Sequence, residues 1–224
     1  MLVKPVERES LSQQLYKQLR SALMDGALAP GERLTIASVS QQFGTSITPV
    51  REAIFRLVSE RALEMRAATS ISVPRLDTRQ LREIQLIRVQ LEGAAAERAA
   101  AIITDAQLTH LESIQEAFIA AARNDSQRAS VLNRDFHFAV LRIAEMPILE
   151  SIVENMWVLM GPFLRVFHDR MPARELSEGE HKHNEVLAAL RGRDPLAARR
   201  AVADDILWGL QLIREMEEET ASAG

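Results

Sequence analysis

Apolar residues recur at three- and four-residue steps along most of the chain. Leu11, Leu15, Leu19, Ala22 and Leu23 line one face of a segment headed by Ser10 and followed by Gly26, the pattern of a capped amphipathic helix. The stretch Leu28-Ala29-Pro30-Gly31 then reads as a tight turn. Thr35 heads a short second helix with Ile36, Val39 and Phe43 on one face, and Gly44 stands where a left-handed residue would end it. A third helix begins near Ser46, with Pro49 in its first turn, where a missing N–H costs nothing, and Val50, Ala53, Ile54, Leu57 and Val58 as its stripe. The period then changes. Leu63 and Met65 alternate, a polar turn covers Ala67 to Ser70, and Ile71 and Val73 alternate again, which predicts a small hairpin.

Val73-Pro74-Arg75-Leu76-Asp77 breaks that hairpin, because proline cannot continue the interior of a paired strand. The break divides the chain into residues 1–75 and 76–224. Beyond it, start and stop signals at Thr104-Asp105, Asn124-Asp125-Ser126, Met146-Pro147, Met171-Pro172 and Gly192-Arg193-Asp194-Pro195 separate about six helical segments, with no strand-length alternation between them. The fold class is therefore mainly α: an N-terminal winged helix-turn-helix with a small β-hairpin wing, then an all-α antiparallel helical bundle.

Two short helices around a glycine turn, the second opening with hydroxyl residues and carrying arginine, have the geometry that lays a recognition helix in a major groove. Ser46, Thr48 and Arg51 fall at the exposed start of that helix, one of the two hydroxyls serving as its cap. Arg66 falls on the first wing strand, where it either touches phosphate or is a solvated residue with no contact.

Charge sharpens the division. The net charge is -4, yet residues 1–75 hold ten Lys or Arg against seven Asp or Glu, and the remainder seventeen against twenty-four. A mildly basic head on an acidic body suits phosphate contact at one end. No apolar run reaches the length of a membrane span, and Lys4, Glu7, Arg8 and Glu9 stand where a signal peptide needs an apolar core, so a cytoplasmic location is expected. With no cysteine, thiolate sites and cysteine nucleophiles are excluded, and a metal must use nitrogen and oxygen ligands.

Inside the bundle, Leu132, Phe136, Ala139, Val140 and Ile143 define a buried stripe, with Asn133 and His137 stacked at its edge by their spacing of four. His183 precedes Leu187 by one turn, which places it at a core edge too. Ala201, Asp205, Trp208 and Leu212 share a face, so Asp205 is aimed inward. An unpaired buried carboxylate is costly, and a cation is one remedy. His110, His168 and His181 have acidic neighbours and read as surface residues, while Trp157 and Trp208 read as core.

Leu28-Ala29-Pro30-Gly31-Glu32-Arg33-Leu34 and Gly44-Thr45-Ser46-Ile47-Thr48-Pro49-Val50-Arg51-Glu52-Ala53 resemble the GntR family of bacterial regulators. The resemblance implies a homodimer that sets two recognition helices on a short palindromic operator in double-stranded DNA, with wing tips in the minor groove. Ser46, Thr48 and Arg51 match its DNA-contacting positions. The chain departs from the pattern at Ile47, where arginine is usual, and at Thr69 and Ser70, where glycine is usual.

Leu132-Asn133-Arg134-Asp135-Phe136-His137 and the stretch from His183 to Asp194 resemble the FCD branch of that family. Many of its members hold a divalent metal through an Asp or Asn, a histidine four residues on, and two further histidines. The matching positions here are Asn133, His137, His183 and Asp205, the last standing where histidine is usual. Two imidazoles and two oxygens suit Zn²⁺, Ni²⁺ or Mn²⁺. Arg88 falls where the branch carries an arginine facing the cavity, a clamp for a small organic-acid effector; a simple Arg88–Glu92 helix pair is the other reading.

The resemblance thus implies a ligand-responsive, sequence-specific transcriptional regulator, a repressor, and not an enzyme. Three alternatives stand beside it, one of them a ligand sensor that has lost operator binding, as the Ile47 departure allows. A metal-dependent enzyme on the same ligands would need an acid or base, for which Glu185 and Asp135 are the nearest candidates. A non-specific architectural DNA protein would show salt-dependent binding with little sequence preference.

Overall fold

The computed structural model describes residues 10–67, 70–170 and 182–209, the backbone alone at 66, 67 and 167–170. The first helix, α1 (Leu11–Met24), starts where the Ser10 hydroxyl accepts from the Gln13 N–H. The strand β1 (Arg33–Leu34) leads into α2 (Ile36–Gln42), which opens with a reciprocal capping box between Thr35 and Ser38. Gly44 takes a φ of 60° and a Cβ there would meet nothing within 4 Å, so this glycine serves the sharp turn rather than a close approach. Next come α3 (Ile47–Ser59), β2 (Glu64–Ala67) and β3 (Ser70–Ser72).

The wing is a three-stranded antiparallel sheet in the order β1-β3-β2, not a simple hairpin. Arg33 faces Ser72 and Leu34 faces Ile71. The strand β1 follows the expected Leu28–Gly31 turn, at residues for which the sequence pattern predicts no element. Two residues are too few to show a period-two alternation, and the pairing is carried by backbone bonds: Gly31 N–H donates to Val73 O and Val73 N–H to Glu32 O, both at 2.9 Å. On the other side of β3 the register slips between Met65 and Ala67.

The body comprises α4 (Thr78–Ile102), α5 (Asp105–Ala122), α6 (Ser126–Ile143), α7 (Pro147–Arg170), α8 (His183–Arg191) and α9 (Pro195–Trp208), all among the described residues. Asp77, Thr104, Asp125 and Asp194 each cap a helix with a side-chain oxygen, as their residue types favour. The expected break at Met171-Pro172 lies outside the described residues. The main body core joins Ala95, Ala96 and Ala99 of α4 to Phe136 and Val140 of α6, Trp157 of α7, Leu190 of α8 and Val202 of α9. Alanines let the α4 backbone approach its neighbours closely.

The winged unit has its own core of Leu15, Leu19, Leu23, Val39, Val50, Ile54, Leu57, Leu63 and Ile71, and it takes in Val158 from α7. At that crossing α1 and α7 touch backbone to backbone: a Cβ on Gly161 would stand 2.1 Å from Leu23 O. No rotamer relieves such a clash. Gly161→Ala should therefore force the two helices apart and cost about 1–3 kcal/mol, as overpacking does. Urea denaturation checks this, and an unchanged midpoint would mean that the contact is not close.

Candidate functional site

Two regions carry the residues singled out by the sequence. The first is the start of α3. Its buried face, Val50, Ala53, Ile54 and Leu57, is 0–2% exposed and anchors the helix to α1. The opposite face is free: Ser46, Thr48 and Arg51 are exposed, and Ile47 is 51% exposed. This tip is not packed beneath the acidic body. Ser46 has the extended backbone of a cap residue but makes no side-chain capping bond, against the expectation that a hydroxyl would close the helix end. The side chain of Arg66, on β2, lies outside the described residues, as does Thr69.

The second region is a buried polar centre built by α4, α5, α6, α7, α8 and α9. His137 and His183 are 4% and 0% exposed and Asp205 is 9% exposed, and one ligand atom from each lies within 4.8 Å of the others. His137 Nε2 is 2.9 Å from Asp205 Oδ2, and His183 Nε2 is 3.8 Å from Asp205 Oδ1. The other ring nitrogens are held from behind. His137 Nδ1 donates to Glu92 Oε2 at 2.8 Å, and His183 Nδ1 donates to Gln115 Oε1 at 2.7 Å. Gln115 is fixed in turn by its Nε2, 3.5 Å from Asn184 Oδ1. His183 also stacks on Phe136, with ring centroids 3.9 Å apart. Both imidazoles therefore turn Nε2 towards one carboxylate while an acceptor orients the far side, the arrangement typical of metal-binding histidines. Asn133 is buried one turn before His137 on the same helix.

Arg88 and Glu92 form the helix pair weighed from the sequence, with Nε 2.6 Å from Oε1. Its burial is the unexpected part: the two side chains are 4% and 2% exposed. Glu92 Oε1 also accepts from Trp157 Nε1 at 3.1 Å, and the Arg88 guanidinium lies 4.2 Å above the Trp157 ring. Burial alone would raise the Glu92 pKa, but Arg88 and His137 lower it to about 2. Burial alone would likewise lower His137, whereas Glu92 and Asp205 raise it to about 9 from an ordinary 6.5. Without a metal the imidazole is a cation between two carboxylates.

Sequence reasoning named Glu92 only as a helix partner of Arg88, and did not single out Gln115 or the Trp157 N–H. Glu92 had a signal, since Arg88, Glu92, Ala95 and Ala99 follow one another at helical steps on the small, buried face of α4. Trp157 is core, as expected, whereas Trp208 is half-buried at the edge of the cluster that holds Phe118 and Leu132. His110 is exposed; His181 and the side chain of His168 lie outside the described residues. Asp135 and Glu185, the acid or base candidates of the enzyme alternative, have side chains 41% and 51% exposed.

A raised pKa links to stability in a fixed direction. With a chelator present, the His137 contribution is complete below about pH 6.5 and is lost as the pH rises through about 9. The urea midpoint should fall across that window in the wild type and stay flatter in His137→Gln. Equal slopes would remove His137 from the account.

Comparison with known proteins fits both regions. Residues 11–73 match the model of bacterial regulatory proteins of the gntR family, and residues 83–207 match the FCD domain. The chain is 37% identical over 196 residues to the HTH-type transcriptional regulator McbR of Escherichia coli K12, covering 87% of this chain and 89% of that one. It is 27% identical over 214 residues to the HTH-type transcriptional repressor RspR of the same strain, covering 95% and 93%. The solved structure of E. coli McbR/YncC superposes with a TM-score of 0.86 at 35% identity, over 93% of this chain and 99% of that one. No helix among the described residues is long and apolar enough to cross a membrane. The chain belongs to the GntR family of bacterial regulators, in its FCD branch, and is a DNA-binding transcriptional regulator rather than an enzyme.

Proposed function

We propose that the chain is a cytoplasmic, homodimeric repressor whose residues 1–75 bind a short palindromic operator and whose residues 76–224 sense a small organic acid through a bound divalent metal. The observation that carries the sensing part is the convergence of His137, His183 and Asp205, each imidazole oriented by a buried acceptor. The donor set suits a borderline cation: two ring nitrogens, one carboxylate, and the amide oxygen of Asn133 as a fourth ligand, which fits Zn²⁺, Ni²⁺ or Mn²⁺. Asp205 takes the place of the usual histidine and brings a negative charge that offsets part of the cation's. A metal held there supplies open coordination positions for an effector carboxylate. Arg88 supports the site through Glu92, since its Nε is already engaged; its remaining donors are the candidates for a clamp on the effector.

For operator contact, the exposure of Ser46, Thr48 and Arg51 on one helix tip supports the reading, with Arg66 as a wing contact to phosphate. Two-fold symmetry of a homodimer then requires a palindrome with half-sites about one helical turn apart.

Selection from a random duplex pool with the full chain, together with elemental analysis after chelator-free purification, tests the proposal. A short palindrome should be enriched, and about one metal ion per chain should remain bound. Enrichment without sequence preference, with steep salt dependence, would instead favour the architectural alternative. Protein that carries no metal and takes none up would remove the sensing part.

A further inference from the structure

Helix α7 meets both the buried centre and the winged unit, and it does so through adjacent residues. Trp157 is fully buried in the body core and donates Nε1–H to Glu92 Oε1, the same oxygen that holds Arg88. Val158, the next residue and about 100° further round the helix, is 3% exposed and belongs to the core of the winged unit. One turn on, Gly161 lies against Leu23 O and Met24 of α1. One turn before, Glu154 pairs with Arg20 of α1 at 2.9 Å, and Asn155 Oδ1 accepts from the same guanidinium. Helix α6 repeats the arrangement. It carries Asn133 and His137 towards the centre, while Arg134 pairs with Asp25, the residue that caps the end of α1.

We infer that α7, tied to the centre by the Trp157–Glu92 hydrogen bond and supported by Arg134 of α6, is the link through which the occupancy of the centre sets the position of α1 and hence of the winged unit. The inference rests on the proposed sensing function, whose site it connects to the DNA-binding end. His137 reaches Asp205 with one ring nitrogen and Glu92 with the other. A cation that draws on His137 therefore pulls on Glu92, and Glu92 on Trp157. Trp157 acts through Glu92 and is a positioning residue. The far end of the link transmits well because at Gly161 the contact is backbone on backbone, and no side chain there can change rotamer to absorb a shift. A cleft of about 660 Å³, lined by Lys17 and Ser21 of α1 and by Ser151 and Asn155 of α7, borders the α1–α7 crossing.

Hydrogen-exchange mass spectrometry on the full chain tests the link, with and without Zn²⁺. Trp157→Phe keeps an aromatic ring but loses the N–H. Amides of residues 19–27, which touch no ligand of the centre, should exchange about fivefold faster or more in this variant, and those of α5 should not change. Zn²⁺ should slow exchange at 19–27 in the wild type and have little effect there in the variant. Wild-type exchange at 19–27 in Trp157→Phe would overturn the inference. Should that variant fold poorly, Arg134→Gln reads the link from its other end. Arg134 is partly exposed and contacts none of the proposed ligands. By reciprocity of coupling its loss should still shift Zn²⁺ affinity about fivefold or more, and an unchanged affinity would equally overturn the link. If the wild type takes up no Zn²⁺ while Trp157→Phe still loosens 19–27, the sensing function fails and the link stands.

Discussion

Asp205→Ala should lower the affinity of the chain for Zn²⁺ by about a hundredfold or more. Asp205 is the residue towards which both imidazoles turn, at 2.9 and 3.8 Å, so its removal takes away the only charged member of the proposed ligand set. Loss of outer-sphere partners alone costs metal sites about 10- to 100-fold, and loss of a charged ligand should exceed that. Asp205→His, which installs the residue usual in the family resemblance, should keep tight binding and so separates loss of a ligand from loss of packing. Competition titration against a chelator of known affinity measures both. Equal affinities in wild type and Asp205→Ala would place the metal elsewhere or nowhere.

The second large effect concerns the other end of the molecule. Arg51→Ala should weaken binding to the selected operator by about 5- to 150-fold, the equivalent of about 1–3 kcal/mol when an arginine reaching a guanine edge is lost. The side chain is exposed on a helix whose opposite face fills the core, so stability should change by no more than about 0.5 kcal/mol. The oligomeric state should be the same as in the wild type. Because a base contact differs from a phosphate contact, affinity for random duplex should fall much less than affinity for the operator. Fluorescence anisotropy with both duplexes resolves the two cases. A parallel loss on both would demote Arg51 to a phosphate contact.

Much of the fold could be read locally, because helix ends are local events. Ser10, Thr35, Asp77, Thr104, Asp125 and Asp194 are residue types that satisfy orphan N–H groups, and each does so. The strand β1 escaped because its partners lie 37 and 39 residues further on, and two residues carry no period of their own. Ser46 shows the limit of such signals, since its backbone takes the cap geometry while its hydroxyl does not bond.

The centre divides along the same line. Asn133 and His137 were visible as a spacing of four on one helix face, and Asp205 as a carboxylate on an apolar one. What the spacing could not supply is the tertiary pairing: Glu92 meets His137 across 45 residues, Trp157 across 65, and Gln115 meets His183 across 68. The Arg88–Glu92 pair was legible as a helix pair of the kind common on surfaces. Its burial depends on α6 and α7 closing over it, which no local pattern records. That burial turns a surface motif into the hub of the site, since a buried charge must be answered by neighbours rather than by water.

On the proposed function, the buried centre and the exposed tip of α3 are coupled. Anisotropy of the selected operator, titrated with the full chain first stripped of metal and then loaded with Zn²⁺, reads that coupling directly. The two forms of the wild type should differ in operator affinity by about fivefold or more, and the two preparations of Asp205→Ala should not differ. Identical affinities for stripped and loaded wild type would show that the centre does not report to the DNA.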